Sequence, residues 1–345
     1  MTDFTLEEQR AKLQAYEKGF FAVHLMKIGI ELGLFSALRS HEEGATAGDL
    51  AADLRLHEPY VAGWCRTAYH MEILDCDGED RFRLAPYMDA LLADRENPYN
   101  YGPNIHMRVY HSAEHLKSFP QYFKSGGNIP LMTDNEEFSK AQKAMSDQGI
   151  PTAYVFMVIP SVPGLQDRLN AGLRVLDVGC GSGLLMTELA KAFPKCQFVG
   201  VDVDRHSIEE AQKHIRNNAM EDRVTALLLD AGGVTWDGEF DLANICLVLH
   251  EMDEDVKRSS IANCCRALKD SGEIVIFDFA YPEKMTDFRK PEYTAGIMDQ
   301  FVELTRGSEI LPLAEKEKLL LEEGFRDSTT VSILGGSYEV THALK

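Results

Sequence analysis

The chain has 345 residues, 45% hydrophobic and 26% charged, proportions that suit a folded protein with room for two domains. A net charge of −20 argues against nucleic acid as the main partner, because backbone binding needs clustered Lys and Arg. No run reaches the roughly 18 apolar residues of a membrane span, and the opening MTDFTLEEQR has neither the basic nor the apolar region of a signal peptide. The seven cysteines are scattered without CxxC spacing, which suggests buried thiols in a reducing, cytoplasmic setting and no metal site.

Residues 6 to 38 carry long helical periodicity through Leu13, Phe20, Phe21, Leu25, Ile30 and Phe35. This is more apolar surface than one amphipathic stripe on a small domain needs, so it predicts either a core helix pair or a face buried by a second subunit. Thr46 with Asp49 has the spacing of a capping pair that opens a short helix. Pro59 begins a second helix over Tyr60 to Ile73, and residues 74 to 84 read as two short strands around Asp77-Gly78. Two helices and a small hairpin make a winged helix, but the first 100 residues hold 10 Lys or Arg against 18 Asp or Glu, a net of −8. That balance speaks against operator reading.

Residues 98 to 168 hold no strand pattern. Tyr101, His106, Tyr110, His111, His115 and Phe119 make an aromatic, histidine-rich helical stretch; the turn Ser125-Gly126-Gly127 and further helix over Glu136 to Val158 follow. Individually these aromatics suit a packed connector, and together they suit a wall facing a substrate, since small-molecule sites commonly lie at domain boundaries. The implied division is a dimerisation domain over 1–98, a helical connector over 99–168 and a catalytic domain over 169–345.

From Arg174 strands and helices alternate: strands at Arg174–Val178, Gln197–Val201, Val224–Leu229, Leu242–Leu247 and Glu273–Phe277, helices near 184–193, 207–218, 255–269 and 314–323. The five strands are apolar throughout, as in a parallel sheet covered on both faces. Thr330–Leu334 and Glu339–Ala343 form a closing hairpin that predicts one antiparallel strand at the edge. The first strand runs into Gly179-x-Gly181-x-Gly183, and a helix pattern starts at once. Glycines permit a tight strand-to-helix turn and close approach of a cofactor to backbone. The second strand ends at Asp202, about twenty residues on, the spacing of an acid that takes a ribose diol in doubly wound sheets.

The segments VLDVGCGSG (175–183), FVGVDVD (198–204), LLLD (227–230), FDLANICLVLHEM (240–252) and LKDSGEIVIFDF (268–279) resemble, in order and spacing, the class I S-adenosylmethionine-dependent methyltransferases. With the winged-helix front, the chain is similar to the small-molecule O-methyltransferases that dimerise through their first domain. The resemblance implies a Rossmann-like seven-stranded α/β sheet with a final antiparallel strand behind a mainly helical domain. It implies that Gly179, Cys180, Gly181 and Gly183 lie against the amino-acid end of S-adenosyl-L-methionine, with Asp177 helping to hold that turn or, through water, the cofactor amine. Asp202 and Val203 would then take the ribose, Asp230 and Ala231 the adenine, and Cys246 and Leu247 the sulfonium. In that group a histidine after the fourth strand, in a His-Asp-Trp sequence, takes the substrate proton. Here His250 keeps the histidine while Glu251 and Met252 depart from the next two positions, so His250 stands as base or as structural residue. Tyr110, His111, His115, Glu251, Asp278, Tyr293 and Met298 are candidates for the acceptor pocket. The expected partners are a small-molecule acceptor and a second copy of the chain. An amine or thiolate acceptor, reacting by positioning alone, and a regulatory protein that only binds the cofactor remain as other readings.

Overall fold

The computed structural model describes residues 4–126, 136–147 and 149–345. Gly127 of the Ser125-Gly126-Gly127 turn lies outside the described residues. The chain divides into two compact units, Met1–Glu114 and His115–Lys345, so residues 99–168 are shared between them.

In the first unit α1 (Leu6–Glu31) opens on a reciprocal cap, Thr5 Oγ1 accepting from Glu8 N–H and Glu8 accepting from Thr5 N–H. It is followed by α2 (Leu34–Ser40), α3 (Ala47–Leu54) and α4 (Glu58–His70). Thr46 and Asp49 cap α3 as their spacing predicts. Helix α4 stops three residues before the expected Ile73, because Glu72 takes a left-handed φ of 63° and turns the chain into the hairpin. That hairpin pairs β1 (Leu74–Cys76) with β2 (Phe82–Leu84), giving the helix–helix–hairpin order of a winged helix. Phe35, Leu50, Trp64 and Leu74 fill the core, and Trp64 Nε1 donates to the Leu25 carbonyl. On α1, by contrast, Leu13, Tyr16, Phe20 and Phe21 stay at least 60% exposed, which removes the core-pair alternative for that face. Among the described residues no single helix is long and apolar enough to cross a membrane; α1 and α2 pass that test only as a pair bent by 67°. Helix α5 (Gly102–His106) continues through a π-helical stretch, Met107–Ser112, into α6 (Ala113–Ser125), where the units meet in sequence.

The second unit continues with α7 (Glu136–Ser146), α8 (Ile150–Ala153), α9 (Ile159–Ser161) and α10 (Leu165–Ala171). The helix expected over 136–158 is thus interrupted before Ile150, where Gly149 has a φ of 74° and Pro151 restarts the helix. Then β3 (Arg174–Val178), α11 (Leu184–Ala192), β4 (Gln197–Asp202), α12 (Arg205–Asn217), β5 (Val224–Leu228) and β6 (Phe240–Cys246) alternate. They lead to α13 (Glu254–Ala267), β7 (Leu268–Phe279), α14 (Thr294–Glu303), α15 (Leu313–Glu322), β8 (Arg326–Ile333) and β9 (Tyr338–Leu344). Helix α14 lies between the fifth expected strand and the helix near 314–323, where the sequence pattern marks no helix.

The sheet order is β5-β4-β3-β6-β7-β9-β8. β9 is antiparallel to both neighbours, so the reversed strand sits one place in from the edge and β8 closes it, a correction to the edge placement. β5 is also not covered on both faces: Thr225, Leu227 and Leu228 are exposed, as an edge strand permits. The order turns at β3, which pairs with β4 on one side and β6 on the other. A crevice outside the carboxyl ends of strands at such a switch point is where open α/β sheets take ligands.

Candidate active site

β3 ends at Val178 and the loop begins with two backbone N–H groups, of Gly179 and Cys180, both donating to the Val201 carbonyl of β4 at 2.8 and 3.0 Å. Gly179 has a φ of 73°, and a Cβ there would stand 2.5 Å from the Val248 side chain. Gly181 has a φ of 51° and faces open space, with no atom within 4 Å of where its Cβ would be. One glycine therefore serves close packing and the other leaves room for a ligand. Asp202 ties this loop to the next turn, one carboxylate oxygen accepting from Gly181 N–H and the other from Asp204 N–H, each at 2.9 Å. Burial raises the pKa of Asp202 against those two hydrogen bonds.

The loop floors a cleft of about 180 Å³ that opens to solvent. Asp177 forms its buried side: its Oδ1 accepts from Asn244 Nδ2 at 2.5 Å, and Asn244 Oδ1 accepts from Tyr154 Oη at 2.5 Å. Burial pushes the Asp177 carboxyl up to about 7, against the Asn244 hydrogen bond. Helix α7 and the residue after it form the opposite wall with Phe138, Gln142 and Asp147. Asp147 accepts from Ser182 Oγ at 2.7 Å and is ion-paired with Lys143.

Beyond Cys246 the chain makes a single tight turn, Leu249–Glu251, which places His250 inward and Glu251 on the cleft. His250 Nδ1 lies 2.6 Å from Asp278 Oδ1, its backbone N–H donates to the other Asp278 oxygen, and its Nε2 is 3.5 Å from Asp299 and 4.0 Å from Glu251. Burial works against a charged ring. The Asp278 carboxylate, helped by Asp299 and Glu251, outweighs burial and lifts His250 to about 10. The ring is therefore an imidazolium at neutral pH. Burial raises Glu251 to about 7, partly offset by His250, and raises Glu303, which pairs with Arg306 at 2.8 Å.

Eight of the eleven cofactor candidates line the cleft: Asp177, Gly179, Cys180, Gly181, Asp202, Val203, Cys246 and Leu247. Gly183 packs against Ala211 just behind it. Asp230 and Ala231 stand one strand further out, at the end of β5, where Asp230 Oδ1 accepts from Gly232 N–H and Ala231 is buried. Of the acceptor candidates Glu251 alone lines the cleft. Asp278 is buried under His250; His115 rests beside Thr305 and Phe119. Tyr293 and Met298 lie at the start of α14, outside the lining. Tyr110 and His111 belong to the first unit, where Tyr110 donates to Glu31 under the Lys27 ammonium. Gln142, Asp147, Ser182 and Arg306 line the cleft with no signal of their own, since their letters are those of ordinary helix and turn surface.

A methyltransferase-domain family matches residues 169–318, and the O-methyltransferase dimerisation domain matches residues 15–94. The chain thus carries a methyltransferase domain behind an O-methyltransferase dimerisation domain. A relative from Oryza sativa subsp. japonica, named a probable inactive methyltransferase, is 24% identical over 93% of this chain and 90% of its own length. An O-methyltransferase from Aspergillus nomiae is 32% identical over 32% of this chain and 50% of its own length. Human N-acetylserotonin methyltransferase, solved with S-adenosylmethionine, superposes with a TM-score of 0.78 at 17% identity, covering 100% of this chain and 99% of its own. The residues present fit the methyltransferase cofactor: Gly181 leaves open the space that any side chain would fill, and Asp202 offers a carboxylate at its edge.

Replacing Asp202 by Ala removes a charge-assisted acceptor worth roughly 1.5–3 kcal/mol, so calorimetry should show S-adenosylmethionine dissociation weakened about tenfold to a hundredfold; an unchanged constant would refute the ribose role. Asp177 gives a second expectation. Its raised pKa means that the folded protein holds this proton more tightly than the unfolded chain, so its contribution to stability is lost as pH rises from about 4 to about 7. Thermal melts of Asp177→Asn between pH 5.5 and 7.5 should decline less with pH than those of the parent, and parallel curves would refute the shift.

Proposed function

We propose that the chain methylates a hydroxyl group of a small organic molecule and works as a homodimer. What carries the reading is the continuity of the cleft, which runs from the glycine loop and Asp202 to Glu251 with His250 directly behind it. When bound, S-adenosylmethionine supplies an electrophilic methyl carbon whose bond to sulfur breaks as the acceptor oxygen bonds to it. The protein's part is to align the two partners, exclude water and take the hydroxyl proton. Gly179, Gly181 and Asp202 would hold the cofactor's near side, Asp177 its amine, and Cys246 and Leu247 the reacting end. Asp230 would reach the adenine from the neighbouring strand.

His250 enters this reading as a fixed positive charge behind the reacting oxygen rather than as a neutral base, because three carboxylates keep its proton in place. A positive charge there favours the ionised acceptor. An amine or thiolate would need no such arrangement, so the charged junction speaks for oxygen. The name of the rice relative makes a binding-only protein the reading to test against. Seven free thiols, four of them buried, support a reducing compartment such as the cytoplasm.

Incubation of the purified protein with labelled methyl donor and a panel of phenols, alcohols, amines and thiols should label a hydroxyl compound. Donor binding without transfer to any of them would support the binding-only reading instead. For the dimer, Phe20→Asp with Phe21→Asp places charge on an exposed apolar face of α1. Sedimentation should show monomers for the double variant and dimers for the parent. A parent that sediments as a monomer would refute the assembly.

A further inference from the structure

Of the titratable groups gathered at His250, one reaches the place where an acceptor must lie. Glu251 lines the cleft with its side chain 28% exposed, whereas those of His250 and Asp278 are 5% and 4% exposed and lie behind it. Asp299 approaches His250 from α14 and is also outside the lining. The turn Leu249–Glu251 follows β6 with two residues between, so the Glu251 carboxylate is fixed beside Cys246, Leu247 and Val248 on the cleft floor. Its Oε1 accepts from Gln142 Nε2 at 3.0 Å across the cleft.

We propose that Glu251, not His250, receives the proton of the acceptor hydroxyl. This rests on the hydroxyl-methylation reading above. The O–H bond breaks, its electron pair stays on the acceptor oxygen, and the proton ends on the Glu251 carboxylate, which releases it to water when the product leaves. The oxygen not engaged by Gln142, Oε2, is the one free for this exchange. The neighbours fit the assignment. His250 already carries its proton and has Asp278 and Asp299 on its two ring nitrogens, so it has nowhere to put another. The groups facing Glu251 are His250 and Arg306, which favour its ionised form, and Glu303 and Asp299, which oppose it. With burial, that balance brings a carboxyl into the range where a general base works best near neutral pH.

The test uses the full-length protein as the parent, Glu251→Gln and Glu251→Asp, with cofactor binding measured alongside. In infrared spectra taken across pH 5 to 9, the parent should show protonated-carboxyl absorption that titrates near neutrality from both Asp177 and Glu251, and Glu251→Gln should lose the Glu251 share while keeping that of Asp177. If that variant keeps the absorption undiminished, Glu251 is an ordinary carboxylate and the proposal is overturned, whatever the protein methylates. On a hydroxyl acceptor, Glu251→Gln should lose roughly 10²- to 10⁴-fold in single-turnover rate, keep its donor affinity within threefold, and lose the acid limb of its pH profile, while Glu251→Asp recovers part of the rate. A Glu251→Gln rate within threefold of the parent, with the rate lost instead in His250→Gln, would assign the proton to His250 and overturn the proposal. A parent that methylates only amines would refute the hydroxyl reading, and the infrared result would still decide the state of Glu251.

Discussion

The site depends on one carboxylate holding two turns together. Asp202 ends β4, and its two oxygens take up backbone N–H groups from the glycine loop after β3 and from the turn that opens α12. Without it each of these two turns would have an unsatisfied donor beside an open cleft. Neighbouring bonds make this arrangement rigid: Gly179 and Cys180 are anchored on the Val201 carbonyl, and Gly179 lets Val248 approach from beyond β6. Three adjacent strands are thereby locked at their carboxyl ends before any ligand arrives, which keeps the entropy cost of binding low.

Farther along the same cleft, the chemistry is set by how charge is divided. Four carboxylates, those of Glu251, Asp278, Asp299 and Glu303, gather around two cations, His250 and Arg306. Asp278 takes the imidazolium most closely, at 2.6 Å, and Arg306 takes Glu303 at 2.8 Å. Glu251 is left with the weakest pairing and the most open position. A histidine whose letter suggests a base thus becomes a buried charge, and the residue beside it becomes the group with a proton to exchange.

How much of this was legible in the sequence follows from the range of each interaction. The capping pair Thr46–Asp49, the glycine loop, Asp202 and five of the sheet's strands are local patterns with fixed spacing, and they fall where that spacing puts them. The place of β9 was not legible, because a hairpin pattern says that two strands pair and not which of them reaches β7. Gln142, Arg306 and Asp299 were hidden for a similar reason: each meets the site from a helix or turn far away in sequence, carrying letters that any exposed helix has. Nor did aromatic richness say which unit Tyr110 and His111 belong to: both lie in the first, Tyr110 against Glu31 and Lys27 and His111 beside His106. α14 escaped notice because its start has no side-chain cap to mark it.

The insertion of β9 has a consequence for biosynthesis. β7, which carries Asp278, is bordered on one side by β6 and on the other by residues 338–344, so half of its backbone bonding waits for the last-made strand. A growing chain can assemble β3 to β6 while still on the ribosome, but the strand that supports His250 has an unpaired edge until β9 is made. Such an edge is a template for wrong pairing during that interval. The catalytic unit should therefore acquire its charge cluster late and all at once, and chains that stall before residue 338 should be candidates for aggregation rather than weakly active enzymes.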